Sequence, residues 1–331
     1  MRTFLRFLFR RDRGAATPEP RSTRQKPKPG GDAPAAGPER RNFDSEDAIQ
    51  VILVDHEEDV LYQMEEKVRA GNFELPQLPS TSIAVMGLAN DPSTEVSKIA
   101  GLIAADPVLS SELVKTANSA LYTGGQPITS IQDGIVRLGL RALRSLILGV
   151  SLRSTLFGGH GLMHFAEEVW RQSVSVARIA RVVGPRVGVN ADKAFLLGLL
   201  HDVGKVPLLS LLRDEEKGSG ISRVLVGKAF YRLHETAGRA LAGAWQLGDE
   251  LVSVAGCHHR FRENTDFGES AALVSLAHRL DLYQSLHDED GYAALVRNDE
   301  MEALGVAEAD RYAILESARE TYHAGRLDSA A

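Results

Sequence analysis

The chain has 331 residues with an apolar content of 44%, so it is long enough to bury one large core or two modest ones. Its single cysteine, Cys257, excludes an intramolecular disulfide framework and fits a reducing compartment. The net charge of −6 is spread unevenly. Residues 1–42 hold eleven Lys or Arg against four Asp or Glu, a net of +7, which leaves −13 for the remainder. So acidic a body excludes a general nucleic-acid binder.

Residues 1–44 are predicted to form a disordered basic tail and linker. Phenylalanines and leucines alternate with arginines in 1–13, which fits an amphipathic helix on an anionic membrane, a terminus without specific structure or, less well, a nucleic-acid contact. Residues 14–42 contain six of the thirteen prolines and few bulky apolar side chains, so they cannot offset the entropy lost on ordering. We expect a cytoplasmic protein with an unstructured basic terminus; contact of this tail with the inner membrane or a partner is the alternative.

The remaining chain is predicted to be all-α, because apolar residues recur at helical spacing and no segment before residue 157 alternates convincingly with period two. No apolar run reaches the roughly 18–20 residues of a membrane span, so none is expected. We expect a connecting helix within 45–74, a first helical half over 75–157, a second over 158–290 and a C-terminal helical extension over 291–331. The predicted helices cover about 46–69, 81–89, 94–105, from 107, 129–157 (as one or two helices), 163–184, 192–203, 206–214, 232–245, 249–260, 271–286 and 307–324.

Polar residues stand at the end of the apolar run that begins at Phe195. His201 and Asp202 are adjacent there, and a buried polar group without a partner costs about 1–3 kcal/mol. The downstream histidines that could satisfy them are His234, His258 and His259, which a helical bundle can bring close. Neutral imidazoles with one carboxylate suit Fe, Mn, Zn or Ni, so the sequence indicates a site for one divalent metal. The alternative is a hydrogen-bonded group that connects the helices without metal.

The histidine pair must meet a geometric condition, and Lys205 and Cys257 have two interpretations each. Adjacent histidines on a helix point about 100° apart, so His258 and His259 can bind one ion only near a helix end. Lys205 could contact a substrate phosphate, although a solvated cation at a helix end suits the helix dipole as well. Cys257 is expected to be a buried small side chain, with a metal or redox role as the alternative.

Several short motifs follow one another in order between residues 75 and 285. They are Leu78-Pro79, Asp106-Pro107, Asn118 to Tyr122, Leu138-Gly139, Val169-Trp170, Gly198 to Lys205 with His201-Asp202, His234 with Gly238 and Trp245, and His258-His259. Together they resemble the HDOD (HD-related output domain) branch of the HD superfamily of metal-dependent phosphohydrolases. The resemblance implies a bacterial signalling protein with a helical N-terminal half and an HD-like C-terminal half.

Resemblance to the related HD-GYP phosphodiesterases, which act on cyclic dinucleotides, implies two metal positions. Asp202, His234, His258 and His259 match the second position. Lys205 matches a lysine that contacts substrate phosphate. Glu168 falls where that branch often has a glutamate, although an exposed helix charge is the simpler interpretation.

The chain departs from that pattern at the first metal position. Gln172 stands where a histidine is expected and His278 where an aspartate is expected, and Arg260-Phe261-Arg262 replaces the Gly-Tyr-Pro motif. A two-metal site holds both the attacking and the leaving oxygens, so losing the ligands of one metal should remove most of the rate. We therefore expect a non-catalytic regulatory module that contacts signalling proteins, with no specific nucleic acid. The alternative is a metal-dependent phosphohydrolase acting on a cyclic dinucleotide or nucleotide.

Overall fold

Every regular element in the described part of the chain is a helix, which confirms the predicted all-α class. The described residues begin at residue 55, so the predicted disorder of residues 1–44 and the start of the connecting helix lie outside them. The computed structural model describes residues 55–89, 91, 93–119, 121–122, 126–158, 162–215 and 221–329.

Fourteen α-helices and three short 3₁₀ helices form the described chain. The 3₁₀ helices are Gly184–Val187, Phe261–Glu263 and Leu295–Arg297. The α-helices are α1 (Asp55–Arg69), α2 (Ser80–Ala89), α3 (Val96–Ala104), α4 (Pro107–Ala117), α5 (Ile131–Phe157), α6 (Met163–Val183), α7 (Ala191–Leu200), α8 (Lys205–Glu215), α9 (Arg223–Ala244), α10 (Asp249–Ala255), α11 (Gly268–Leu286), α12 (Glu289–Ala294), α13 (Asp299–Ala303) and α14 (Glu308–Ser329).

Helices α2 to α5 pack around their own apolar core in the N-terminal half. The carboxylate of Asp106 accepts the N–H groups of Val108 and Leu109 at 2.9 and 3.0 Å, so it caps α4 as the Asp-Pro pair suggests. Asn118 accepts the N–H of Ile128 at 2.8 Å and donates to its carbonyl at 2.7 Å, which ties the end of α4 to the approach of α5.

Helices α6 to α10 enclose the main core of the C-terminal half. The indole N–H of Trp245 donates to the carbonyl of Pro76 at 2.7 Å and ties the end of α9 to the extended segment before α2. Two predicted boundaries are wrong. Helix α9 begins at Arg223 rather than near residue 232, because its first two turns bury apolar side chains as well. Helix α10 ends at Ala255, where Gly256 follows, so His258 and His259 lie in a turn after the helix.

The segment Ala191–Asp214 is long and apolar enough to cross a membrane by length and composition, so the expectation of no such segment was wrong. It consists of α7, a turn and α8, and 83% of its most apolar window is buried inside the protein. A buried core segment passes the same test, which makes it weak support for a membrane span.

Candidate metal centre

Four helices and two turns bring the candidate site residues together at the centre of the C-terminal half. Helix α6 carries Gln172, the turn after α7 carries His201 and Asp202, and α8 begins at Lys205. Helix α9 carries His234, the turn after α10 carries His258 and His259, and α11 carries His278.

Close backbone contacts at two glycines bring these elements together. A Cβ atom at Gly204 would lie 2.0 Å from the carbonyl oxygen of His234, and one at Gly238 would lie 2.8 Å from the carbonyl oxygen of Ala255. No side chain fits at such distances, so glycine is required where the turn after α7 meets α9 and where α9 meets the end of α10. The two contacts place Asp202 next to the histidines of α9 and of the turn after α10.

Three buried histidines each direct one ring nitrogen toward Asp202. Nδ1 of each ring donates to the backbone carbonyl three or four residues earlier, at 2.8 Å for His201, 2.5 Å for His234 and 3.2 Å for His258. Nε2 of each ring therefore faces the carboxylate of Asp202, with His201 3.1 Å from Oδ2 and the other two near Oδ1. This is the tautomer that a metal ligand needs.

The spacing of the ligand atoms fits a metal ion on one side of Asp202. Oδ1 lies 3.6 Å from Nε2 of both His234 and His258. Two ligands about 2.1 Å from a tetrahedral ion lie about 3.4 Å apart. Within the described chain, Nε2 of His258 has no hydrogen-bond partner. The ligand atoms of His234, His258 and the exposed His259 lie within 4.8 Å of one another. We call Asp202 Oδ1 together with His234, His258 and His259 the histidine side.

The other oxygen of Asp202 is bound by a lysine. Nζ of Lys205 lies 2.7 Å from Asp202 Oδ2 and donates to Oε1 of Gln172 at 3.2 Å. Because Oε1 accepts there, the amide nitrogen of Gln172 donates to Nε2 of His278, 3.0 Å away. Lys205 is only 1% exposed, so the interpretation of a solvated helix-end cation was wrong. We call Lys205, Gln172 and His278 the lysine side.

The charges of these groups suit metal binding on the histidine side. Burial raises the pKa of Asp202, but His201 and Lys205 lower it further, so its pKa lies well below the usual value and the carboxylate is ionised. Burial and the neighbouring His259 and His201 hold the pKa of His258 well below its usual value, so that imidazole is neutral. A carboxylate with neutral imidazoles is a ligand set for a divalent ion.

A second set of histidines shares one ligand, His258, with the histidine side. The ligand atoms of His201, His258 and His278 also lie within 4.8 Å of one another. His258 belongs to both sets and has one ring nitrogen to offer, since its Nδ1 donates to a backbone carbonyl. The two sets therefore cannot each hold an ion at the same time.

Glu168 and Cys257, which the sequence analysis also considered, lie outside this site. Glu168 pairs with Arg223 at 2.6 Å and its side chain is 14% exposed, so the interpretation as an exposed charge was wrong. Cys257 is buried, as expected, and burial raises the pKa of its thiol. A thiol held protonated is a poor ligand and a poor nucleophile.

A family model for the HDOD domain matches residues 75–261, more than half of the chain. The chain belongs to the HDOD family. The match covers the N-terminal half and every site residue except His278. The resemblance seen in the sequence motifs is thereby confirmed.

Three solved structures share the fold. An HDOD domain protein from Geobacter sulfurreducens is 28% identical with a TM-score of 0.61, over 82% of this chain and 98% of that one. A candidate metal-dependent phosphohydrolase from Shewanella amazonensis SB2B is 22% identical with a TM-score of 0.61, over 81% of this chain and all of that one. A candidate signal transduction protein from Marinobacter aquaeolei VT8 is 21% identical with a TM-score of 0.59, over 85% of this chain and 66% of that one.

Curated relatives are matched over only part of their length. An uncharacterised protein of Treponema pallidum is 25% identical to this HDOD chain over 196 residues, which are 56% of this chain and 38% of the relative. Ribonuclease Y of Fervidobacterium nodosum is 27% identical over 146 residues, which are 44% of this chain and 23% of the enzyme. The chain thus spans well under half the length of both.

Proposed function

We propose that this HDOD protein is a regulatory module that acts through contacts with other signalling proteins and does not hydrolyse phosphodiesters. The observation that carries the proposal is the lysine side of Asp202. Gln172 and His278 bond to each other, and the ammonium of Lys205 lies against the oxygen of Asp202 that faces them. Hydrolysis by two metal ions needs a second ion near the first, about 3.5–4 Å away. Nε2 of His201 also lies 3.1 Å from Oδ2 of Asp202, but an ion there would have to displace the ammonium of Lys205. The histidine side is therefore the ion position that supports the proposal.

Membership of the HDOD family supports a regulatory role of this kind. The partner would be another signalling protein of the cell. We further propose a cytoplasmic location, with the basic segment 1–13 in contact with an anionic membrane surface. Deletion of residues 1–42 should then lower the fraction of protein that sediments with anionic vesicles, and an unchanged fraction would contradict the membrane contact.

The test of the main proposal is a hydrolysis assay on the full chain supplied with Mn²⁺, Fe²⁺, Zn²⁺ or Ni²⁺. Substrates are cyclic dinucleotides, nucleoside phosphates and a chromogenic phosphodiester. We expect no turnover above that of the Asp202→Asn variant, which lacks the bridging carboxylate. Metal-dependent turnover that disappears in Asp202→Asn would overturn the proposal.

The second candidate is a metal-dependent phosphohydrolase. It is favoured by the convergence of Asp202, His234 and His258 at the spacing of metal ligands. When bound, an ion there would polarise a phosphoryl oxygen and lower the pKa of a bound water. Exposed His259 would mark the entrance to the site. The same hydrolysis assay decides between the two candidates.

A further inference from the structure

The ion position on the histidine side has little net charge around it. Its donors are neutral imidazoles and one carboxylate, Asp202. The ammonium of Lys205 is buried against that carboxylate at 2.7 Å, and it is positioned by Gln172 at 3.2 Å. The charges of Asp202 and Lys205 cancel. An ion at Oδ1 would therefore meet a nearly neutral set of ligands.

Other carboxylates close to the site are committed elsewhere. Glu235, the residue after His234, accepts the backbone N–H of His259 at 2.9 Å and pairs with Arg260 at 3.1 Å. Glu168 is held by Arg223. The buried Asp281 hydrogen-bonds to Ser175. None of these three carboxylates is a ligand of the ion position.

We infer that Lys205 determines which class of ion the site accepts: one borderline transition-metal ion, such as Zn²⁺, Co²⁺ or Ni²⁺, and not Mg²⁺, Ca²⁺ or Mn²⁺. Hard cations depend on anionic oxygen ligands, whereas imidazole binds zinc and nickel well without them. The inference rests on the single ion position of the proposed function and goes beyond it by naming the ion and the residue that selects it.

The physical reason is the fixed positive charge behind the shared carboxylate. An ammonium a few ångströms from a divalent ion opposes every cation, and hard ions lose most because Asp202 is their main source of attraction. Nitrogen ligands that are already oriented by their Nδ1 hydrogen bonds keep their attraction for a borderline ion. Lys205 is thus a positioning and selecting residue rather than an ion ligand.

The experiment is a metal titration of the full-length protein after removal of metal with a chelator. Zn²⁺ and Mn²⁺ are each titrated into the wild type, Lys205→Met and the control Lys98→Met, an exposed lysine on α3. We expect one Zn²⁺ per chain in the wild type, bound at least about 100-fold more tightly than Mn²⁺. Lys205→Met should tighten Mn²⁺ binding at least about tenfold and so reduce the preference for Zn²⁺ over Mn²⁺. Lys98→Met should leave the affinities for both ions unchanged.

Three results would overturn the inference: Mn²⁺ binding as tight as Zn²⁺ in the wild type, an unchanged ratio in Lys205→Met, or no bound ion. If Lys205→Met does not fold, the wild type alone decides, because Zn²⁺ should raise its melting temperature and Mn²⁺ should not. Tight Mn²⁺ binding without hydrolysis would overturn this inference and leave the proposed function standing. Hydrolysis would contradict the proposed function whichever ion is preferred.

Discussion

The two oxygens of Asp202 face two different environments. On the histidine side, Oδ1 faces imidazole nitrogens 3.6 Å away, a spacing that an ion can close. On the lysine side, Oδ2 is paired with the ammonium of Lys205 at 2.7 Å and also lies 3.1 Å from Nε2 of His201. The ammonium is hydrogen-bonded to Gln172, which donates to His278. One face of the carboxylate can bind an external cation, and the other is bound by an internal one. A site can therefore lose one ion position and keep the geometry of the other.

Removing the carboxylate breaks both sides at once and should have the largest effect. In Asp202→Ala the buried ammonium of Lys205 has no counter-charge, so the free energy of unfolding should fall by about 3–5 kcal/mol. The measurement is chemical denaturation of metal-free protein. The exposed Asp266→Ala is the control and should change stability by less than about 0.5 kcal/mol. A similar, small change in both variants would contradict the buried ion pair.

The next largest effect is expected from breaking the close backbone contact between the turn after α7 and helix α9. Gly204→Ala places a methyl group 2.0 Å from the carbonyl oxygen of His234, so the turn after α7 must move away from α9. We expect a loss of about 3 kcal/mol in unfolding free energy together with weaker ion binding. Gly101→Ala on α3 meets no atom within 4 Å and should be neutral or slightly stabilising. Equal effects of the two substitutions would show that the close contact is unimportant.

Asp281 lies one helical turn after His278, and its titration predicts how the stability of this region depends on pH. Burial raises its pKa to about 6, against the lowering effects of Ser175, His278 and Arg171. A carboxyl whose pKa is raised in the folded state makes the fold less stable as pH rises from about 4 to 6. Asp281→Asn should therefore be more stable than the wild type by about 2 kcal/mol at pH 7 and equal to it near pH 4. Denaturation curves at both pH values test this, and a gain that is the same at both would contradict it.

The smallest expected effect comes from the lysine side alone. Gln172→Leu removes the acceptor for Lys205 and the donor to His278, which should cost about 1–2 kcal/mol of stability. Zn²⁺ binding on the histidine side should change little, because Gln172 is not a ligand there and Lys205 keeps its contact with Asp202 at 2.7 Å. A titration of Zn²⁺ beside the denaturation curve measures both quantities. Loss of Zn²⁺ binding in Gln172→Leu would contradict this expectation, because it would show that Gln172 itself is needed for the ion position.

The sequence predicted most of the fold and half of the site. Apolar spacing located most helices within a few residues, and the HDOD motifs placed Asp202 with His234, His258 and His259. The direction of Lys205 was not predictable, because the same position at the start of α8 could face solvent or the core. Its spacing of three residues from Asp202 within an apolar run was the available signal.

The bond between Gln172 and His278 could not be predicted either, although both residues were recognised as departures from the family pattern. They are 106 residues apart, and only the packing of α6 beside α11 brings them within 3.0 Å. Glutamine and histidine have no intrinsic preference for pairing with each other. Tertiary packing alone converts two separate departures into one network.

The most direct test of the two-sided site is a count of metal ions per chain after loading with Zn²⁺, in the wild type and in two variants. The predicted result is one ion in the wild type, none in His234→Ala and one in His278→Ala. Two ions in the wild type, or an ion that survives His234→Ala and is lost in His278→Ala, would contradict the central claim that only the histidine side of Asp202 binds metal.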